Sequence, residues 1–182
     1  MIKKFSFIIL ASGLVLSACS SDKEAEDKKS NNHKEEEHME HKSDSKTPEN
    51  MKSTNDGKFK KGDKVTIIEG HMAGMKNAKG TVKEAYKTYA YEVSYTPTNG
   101  GDKVNNHKWV VNEEVADAPE DGFKKGDTVK LEADHMSGMK NAEAKIDDVE
   151  ETTVYIVDYQ STDNDKMVKN HKWMTGDELK TR

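Results

Sequence analysis

The residues of this chain best equipped for chemistry are histidines and methionines gathered into one short pattern. GHMAGMKNAKG runs from Gly70 to Gly80, and DHMSGMKNAEA runs from Asp134 to Ala144. Each copy places His-Met-x-Gly-Met in a polar setting. Thioether sulfur is a soft donor, and with an imidazole it suits Cu(I) better than Mg²⁺, Ca²⁺ or Zn²⁺. Met72 and Met75 are three apart with Gly74 between them, so no sheet face takes both. One helical turn would put His71 and Met75 on one face, and a tight turn at Gly74 would also bring the ends together. The competing reading is that the methionines plug the end of a barrel, since Met fills irregular gaps. The expected primary ligands are His71, Met72 and Met75 in the first copy, with His135, Met136 and Met139 in the second.

A second histidine recurs in NHKW, at His107 and His171. Each precedes a tryptophan by two residues, so on a strand His107 shares a face with Trp109, and His171 with Trp173. A bound cation could then meet the indole face; alternatively, each His–Trp pair closes a barrel. HKEEEHMEH adds His33, His38, Met39 and His41. That tract is either a solvated spacer or a loose metal-capturing run. No nucleophile–base pair, phosphate loop or carboxylate-rich open metal site is visible, so the expectation is a binding protein and not an enzyme.

The elements that must position these residues form a duplication. FKKGD starts at Phe59 and Phe123, HMxGMKNA at His71 and His135, and NHKW at Asn106 and Asn170; each recurs 64 residues later without a gap. Two copies of one module are expected at 58–118 and 122–182, joined by the turn-rich ADAPEDG. Within each, Lys-Gly-Asp turns into a strand at Val65 and Ile67, and Thr81-Val82-Lys83 begins a second short run. Tyr89, Tyr91, Val93 and Tyr95 alternate with polar or small residues as a half-buried strand. Pro97 to Gly101 reads as a turn, and His107 to Val111 as a last strand. The expected class is all-β, two tandem small SH3-like barrel modules, a likeness of fold that licenses no function.

The N-terminus sets the compartment. Lys3 and Lys4 precede an apolar run from Phe5 to Leu16, and Leu-Ser-Ala-Cys ends at Cys19. This is a secretory signal over residues 1–18 with a lipobox-like end, too short for a lasting membrane span. Cys19 is the single cysteine, so it is the expected lipidation site, and no disulfide or thiolate ligand is available. Residues 19–57 are dense in Lys, Glu, Asp, Ser and Asn and read as a disordered acidic tether. Losing Lys3 and Lys4 with the signal takes the formal charge from −5 to −7. An acidic chain has no electrostatic footprint for nucleic acid, so attachment to the membrane must be covalent.

Twin KGDxV…HMxGMKNA…YxVxY…NHKW modules behind a lipobox and an acidic His-bearing tether resemble the YdhK/CopL-type bacterial lipoproteins. The resemblance covers most of the mature chain. That group includes a surface-exposed copper-binding lipoprotein of Gram-positive bacteria associated with copper resistance. The resemblance therefore implies a lipid-anchored protein on the extracellular face of the cell membrane that sequesters copper, with Cu(I) the expected ion. The alternative from another class is a cell-wall or partner-protein binding module, in which Tyr86, Tyr89 and Trp109 would stack on sugars or peptides.

Overall fold

The computed structural model describes residues 46–182. The expected signal at 1–18, Cys19, and the tether residues His33, His38, Met39 and His41 lie outside the described residues. The remainder is all-β, carrying two tandem repeats. Its strands are β1 (Lys52–Ser53), β2 (Lys64–Ile67), β3 (Lys79–Tyr95), β4 (Val104–Val111), β5 (Thr128–Lys130), β6 (Glu143–Gln160), β7 (Met167–Thr175) and β8 (Leu179–Thr181), with 3-10 turns at Asn112–Glu114 and Gly176–Glu178. Among the described residues no helix is long and apolar enough to cross a membrane.

The expected runs at Thr81 and Tyr89 are one strand, the 17-residue β3, and the second repeat forms the 18-residue β6 in the same way. The reason is local. Folding back into a hairpin needs Gly, Asn, Asp or Pro at the turn, and AYKTYA at the middle of β3 and EETTV at the middle of β6 supply none. Both strands continue without folding back and pair antiparallel from Lys79↔Gln160 to Tyr95↔Ala144, with register shifts between Val82 and Glu84 and between Glu92 and Val93. Thr88 faces Thr152, its own counterpart in the other repeat, so a pseudo-twofold axis passes there.

This pairing decides where the cores form. Tyr91, Val93, Tyr95, Val110 and Val115 of the first repeat pack with Val129, Leu131, Met139 and Ile146 of the second. Phe59, Val65, Ile67, Met75 and Val82 of the first pack with Tyr155, Val157, Tyr159, Met174 and Leu179 of the second. Residues 88–152 thus make one lobe from an unbroken stretch, the continuous lobe. Residues 58–87 and 153–182 make the other, the split lobe. In the split lobe the strand path is β8–β2–β3–β6–β7. In the continuous lobe β4–β3–β6–β5 is completed by the bridge Val115↔Leu131. Two small modules exist, one of five strands and one of four strands plus that bridge, but each is built from half of each repeat. The expectation that 58–118 and 122–182 are each a packing unit is corrected on this point, because neither repeat contains a whole core. Ala90, Trp109, Val111, Val154, Ile156 and Trp173 form a third cluster where the lobes meet.

The expected tether is also too long at its C-terminal end. Lys52 and Ser53 pair with Lys87 and Tyr86, the Thr54 N–H donates to Ala85 O at 3.0 Å, and Met51 packs against the cluster between the lobes. A single apolar side chain plus the open edge of β3 is enough to order this stretch.

Candidate metal centre

Both HMxGM loops close as tight turns, the second of the two shapes the sequence allowed. The Met75 N–H donates to Met72 O at 3.4 Å, and the Met139 N–H donates to Met136 O at 3.2 Å. Gly74 and Gly138 sit third in their turns with φ of +76° and +73°, the position where a side chain is disfavoured. They are also pressed against other backbone turns. A Cβ on Gly74 would lie 2.1 Å from Ser161 Oγ, and one on Gly138 would lie 2.5 Å from Asn99 Oδ1. The Thr162 N–H donates to Gly74 O, and the Thr98 N–H to Gly138 O, each at 2.9 Å. Each HMxGM loop therefore docks on the turn that leads into the other repeat's NHKW strand.

That docking brings the histidines together across the repeats. The rings of His71 and His171 lie 5.3 Å apart in the split lobe, and those of His107 and His135 lie 5.4 Å apart in the continuous lobe. In each pair one ring is buried, His171 or His135, and the other, His71 or His107, is half-buried toward solvent. A tyrosine edge meets each strand histidine: Tyr159 at 5.6 Å from His171, and Tyr95 at 6.0 Å from His107. Burial pushes the Tyr95 phenol up to about 12 and raises that of Tyr159, so both stay neutral walls.

The two pairs differ in their third neighbour. His71 Nε2 lies 3.3 Å from Met174 Sδ. The residue corresponding to Met174 is Val110, which offers no donor atom. In the continuous lobe a carboxylate neighbours the pair, with Glu114 Oε2 3.4 Å from His135 Nε2. Among the described residues no three His, Cys, Asp or Glu side chains gather into a metal-holding group.

Two tryptophans cross the boundary between the lobes. The Trp173 indole N–H donates to Glu114 Oε2 at 2.9 Å, and the Trp109 indole N–H donates to both oxygens of Glu178 at 3.1 and 3.0 Å. Trp109 therefore lies in the cluster between the lobes while His107 points to the continuous lobe, so the expected shared His–Trp face does not form. The register shifts in the β3–β4 and β6–β7 ladders break the strand alternation between each His and its Trp. Burial pushes the Glu114 carboxyl up, but His135, the Trp173 indole and the Val111 amide outweigh it and hold the group below its ordinary value. At Glu178 burial dominates over the Thr175 amide and the Trp109 indole and raises the carboxyl. Burial also lowers the Lys172 ammonium, with Glu114 opposing.

The sequence-predicted methionines sit mostly in the cores. Met75 and Met139 are fully buried, Met136 is 6% exposed, and Met72 is half-buried against the split-lobe core. Their packing matches the gap-filling reading. The split lobe joins His71 to His171 and Met174, three residues that no single repeat contains. Met174 was missed because it occurs in one copy only, as NHKWM against NHKWV; comparing the copies for differences would have marked it. Trp109, at 3% exposure, is not available to stack on a polymer, and Tyr86 is half-buried with its ring edge-on to Trp173 at 6.0 Å.

A family model described as a protein of unknown function, DUF1541, matches residues 61–112 and again 125–176. The chain belongs to the DUF1541 family. A DUF1541 relative, the uncharacterized protein YdhK of Bacillus subtilis strain 168, is 47% identical over 186 residues, spanning 100% of this chain and 91% of that one. The crystal structure of that DUF1541 protein is similar with a TM-score of 0.77 at 52% identity, covering 80% of this chain and 99% of that one. The solution structure of the YdhK C-terminal domain is similar with a TM-score of 0.66 at 56% identity, covering 68% of this chain and 94% of that one. The two DUF1541 matches coincide with the sequence repeats, whereas each core draws on both.

Proposed function

We propose that this protein is an extracytoplasmic, lipid-anchored copper-binding protein that sequesters copper ions outside the membrane and so contributes to copper resistance. The observation that carries the reading is the contact of His71 with Met174 beside His171. Two imidazoles and one thioether, drawn from both repeats, make a soft donor set. Such a set favours Cu(I) over hard oxygen-seeking cations. The half-buried His71 gives an ion a way in, while buried His171 and Met174 keep water from the far side. Lipidation at Cys19 would hold the chain at the membrane, and His33, His38, Met39 and His41 would capture ions weakly and pass them inward. The protein acts by binding and not by catalysis.

The test is competition for Cu(I) against a chromophoric chelator, using the full chain. His71→Ala and His171→Ala should each remove one tight equivalent relative to wild type. Unchanged tight binding in both variants, with both folded, would reject the centre.

A further inference from the structure

We infer that residue 174 sets soft-ion selectivity between the lobes: the His71–His171 pair with Met174 takes a Cu(I)-class ion, and the His107–His135 pair with Val110 does not. The inference rests on the copper reading above and deepens it. The two lobes are otherwise matched at this place. His71 corresponds to His135, His171 to His107, Tyr159 to Tyr95 and Glu178 to Glu114, each pair 64 residues apart. Both histidine pairs have nearly the same ring separation, 5.3 and 5.4 Å. The difference in donors is concentrated at one position. Met174 is fully buried and aims its sulfur at His71 Nε2, 3.3 Å away. Val110 is equally buried and carries only hydrocarbon there.

Glu114 does not replace the missing sulfur. Its Oε2 accepts from the Trp173 indole at 2.9 Å and from the Val111 N–H at 3.3 Å while facing His135 Nε2 at 3.4 Å. A carboxylate oxygen held from three sides offers no open position. It is also a hard oxygen donor, which a Cu(I)-class ion disfavours. Met136 and Met139 pack in the core of the continuous lobe as Met72 and Met75 do in that of the split lobe, so the loop methionines do not distinguish the two lobes. The duplicated scaffold thus carries one soft centre, and the second histidine pair is structural.

Cu(I) competition titrations of full-length variants, read as equivalents gained or lost against wild type, test this; the tether contributes equally to all and cancels. Met174→Leu should lose one tight equivalent. His107→Ala and His135→Ala should lose none. Val110→Met should gain one, which His135→Ala then removes. A melting curve accompanies Val110→Met, because its site is fully packed; should that variant not fold, Met174→Leu and the two histidine variants decide. Full binding in Met174→Leu, or a lost equivalent in folded His107→Ala or His135→Ala, overturns the inference. A wild type with no tight Cu(I) would instead overturn the copper reading itself, and folded variants of both lobes each losing an equivalent would leave that reading standing while refuting the selectivity.

Discussion

The continuous and split lobes share a strand plan, a histidine pair and a tyrosine wall, yet their buried polar networks are tuned differently. In the continuous lobe the buried carboxylate of Glu114 has an imidazole partner and is held ionised. In the split lobe Glu178 is pushed toward its neutral form by burial, and the imidazole of His71 lies against the Met174 sulfur. On the proposal above, the duplicated fold keeps one copy of the site for structure and the other for a ligand. The indole crosslinks, Trp173 to Glu114 and Trp109 to Glu178, tie each lobe's carboxylate to the other lobe's strand.

The comparison breaks most severely if the lobes are separated along the repeats. Residues 58–118 carry half of each core, so that fragment alone should not form a monomeric native sheet, while mixing it with 122–182 should restore near-ultraviolet circular dichroism. Residues 88–152 contain every member of the continuous core, and that fragment should give β structure by itself. A monomeric, cooperatively melting 58–118 would contradict the exchange of halves.

Next in size is the carboxylate contrast. Glu114→Gln should cost about 1.5–3 kcal/mol at neutral pH, the range for a hydrogen bond to a charged group, and Glu178→Gln should cost less. The pH dependences should differ in sign. Glu114 is lowered in the fold, so its contribution is present above the ordinary carboxylate value and lost as pH falls through its folded value. Glu178 is raised, so its contribution is present below the ordinary value and lost as pH rises through its folded value. Denaturant midpoints across the acid range should show Glu114→Gln flattening the acid loss and Glu178→Gln flattening the opposing slope. Equal slopes in the two variants would erase the distinction.

The smallest effects concern what the lobes share. Gly74→Ala and Gly138→Ala each force a Cβ into positive φ and against a facing turn. Each should lose more than about 1 kcal/mol, and by similar amounts. A difference of several-fold between them would show that the loops are not equivalent.

The strands, the duplication and the recurrence of His107 and His171 were legible because each follows from period or repetition. The exchange of halves was written only as a lack, the missing turn residues in AYKTYA and EETTV, and choosing between a partner strand in the same repeat and one in the other is a question of global packing. The burial of Met75 and Met139 was legible only as the competing plug reading, because loop residues carry no period that would decide for it. Met174 escaped because it looks like an ordinary inward strand residue until a histidine from the other repeat is set against it.

X-ray absorption at the copper edge of the Cu(I)-loaded full chain tests the central claim most directly. Nitrogen scatterers should appear with a sulfur contribution that disappears in Met174→Leu and persists in Met75→Leu and Met139→Leu. A sulfur contribution unchanged in Met174→Leu would contradict it.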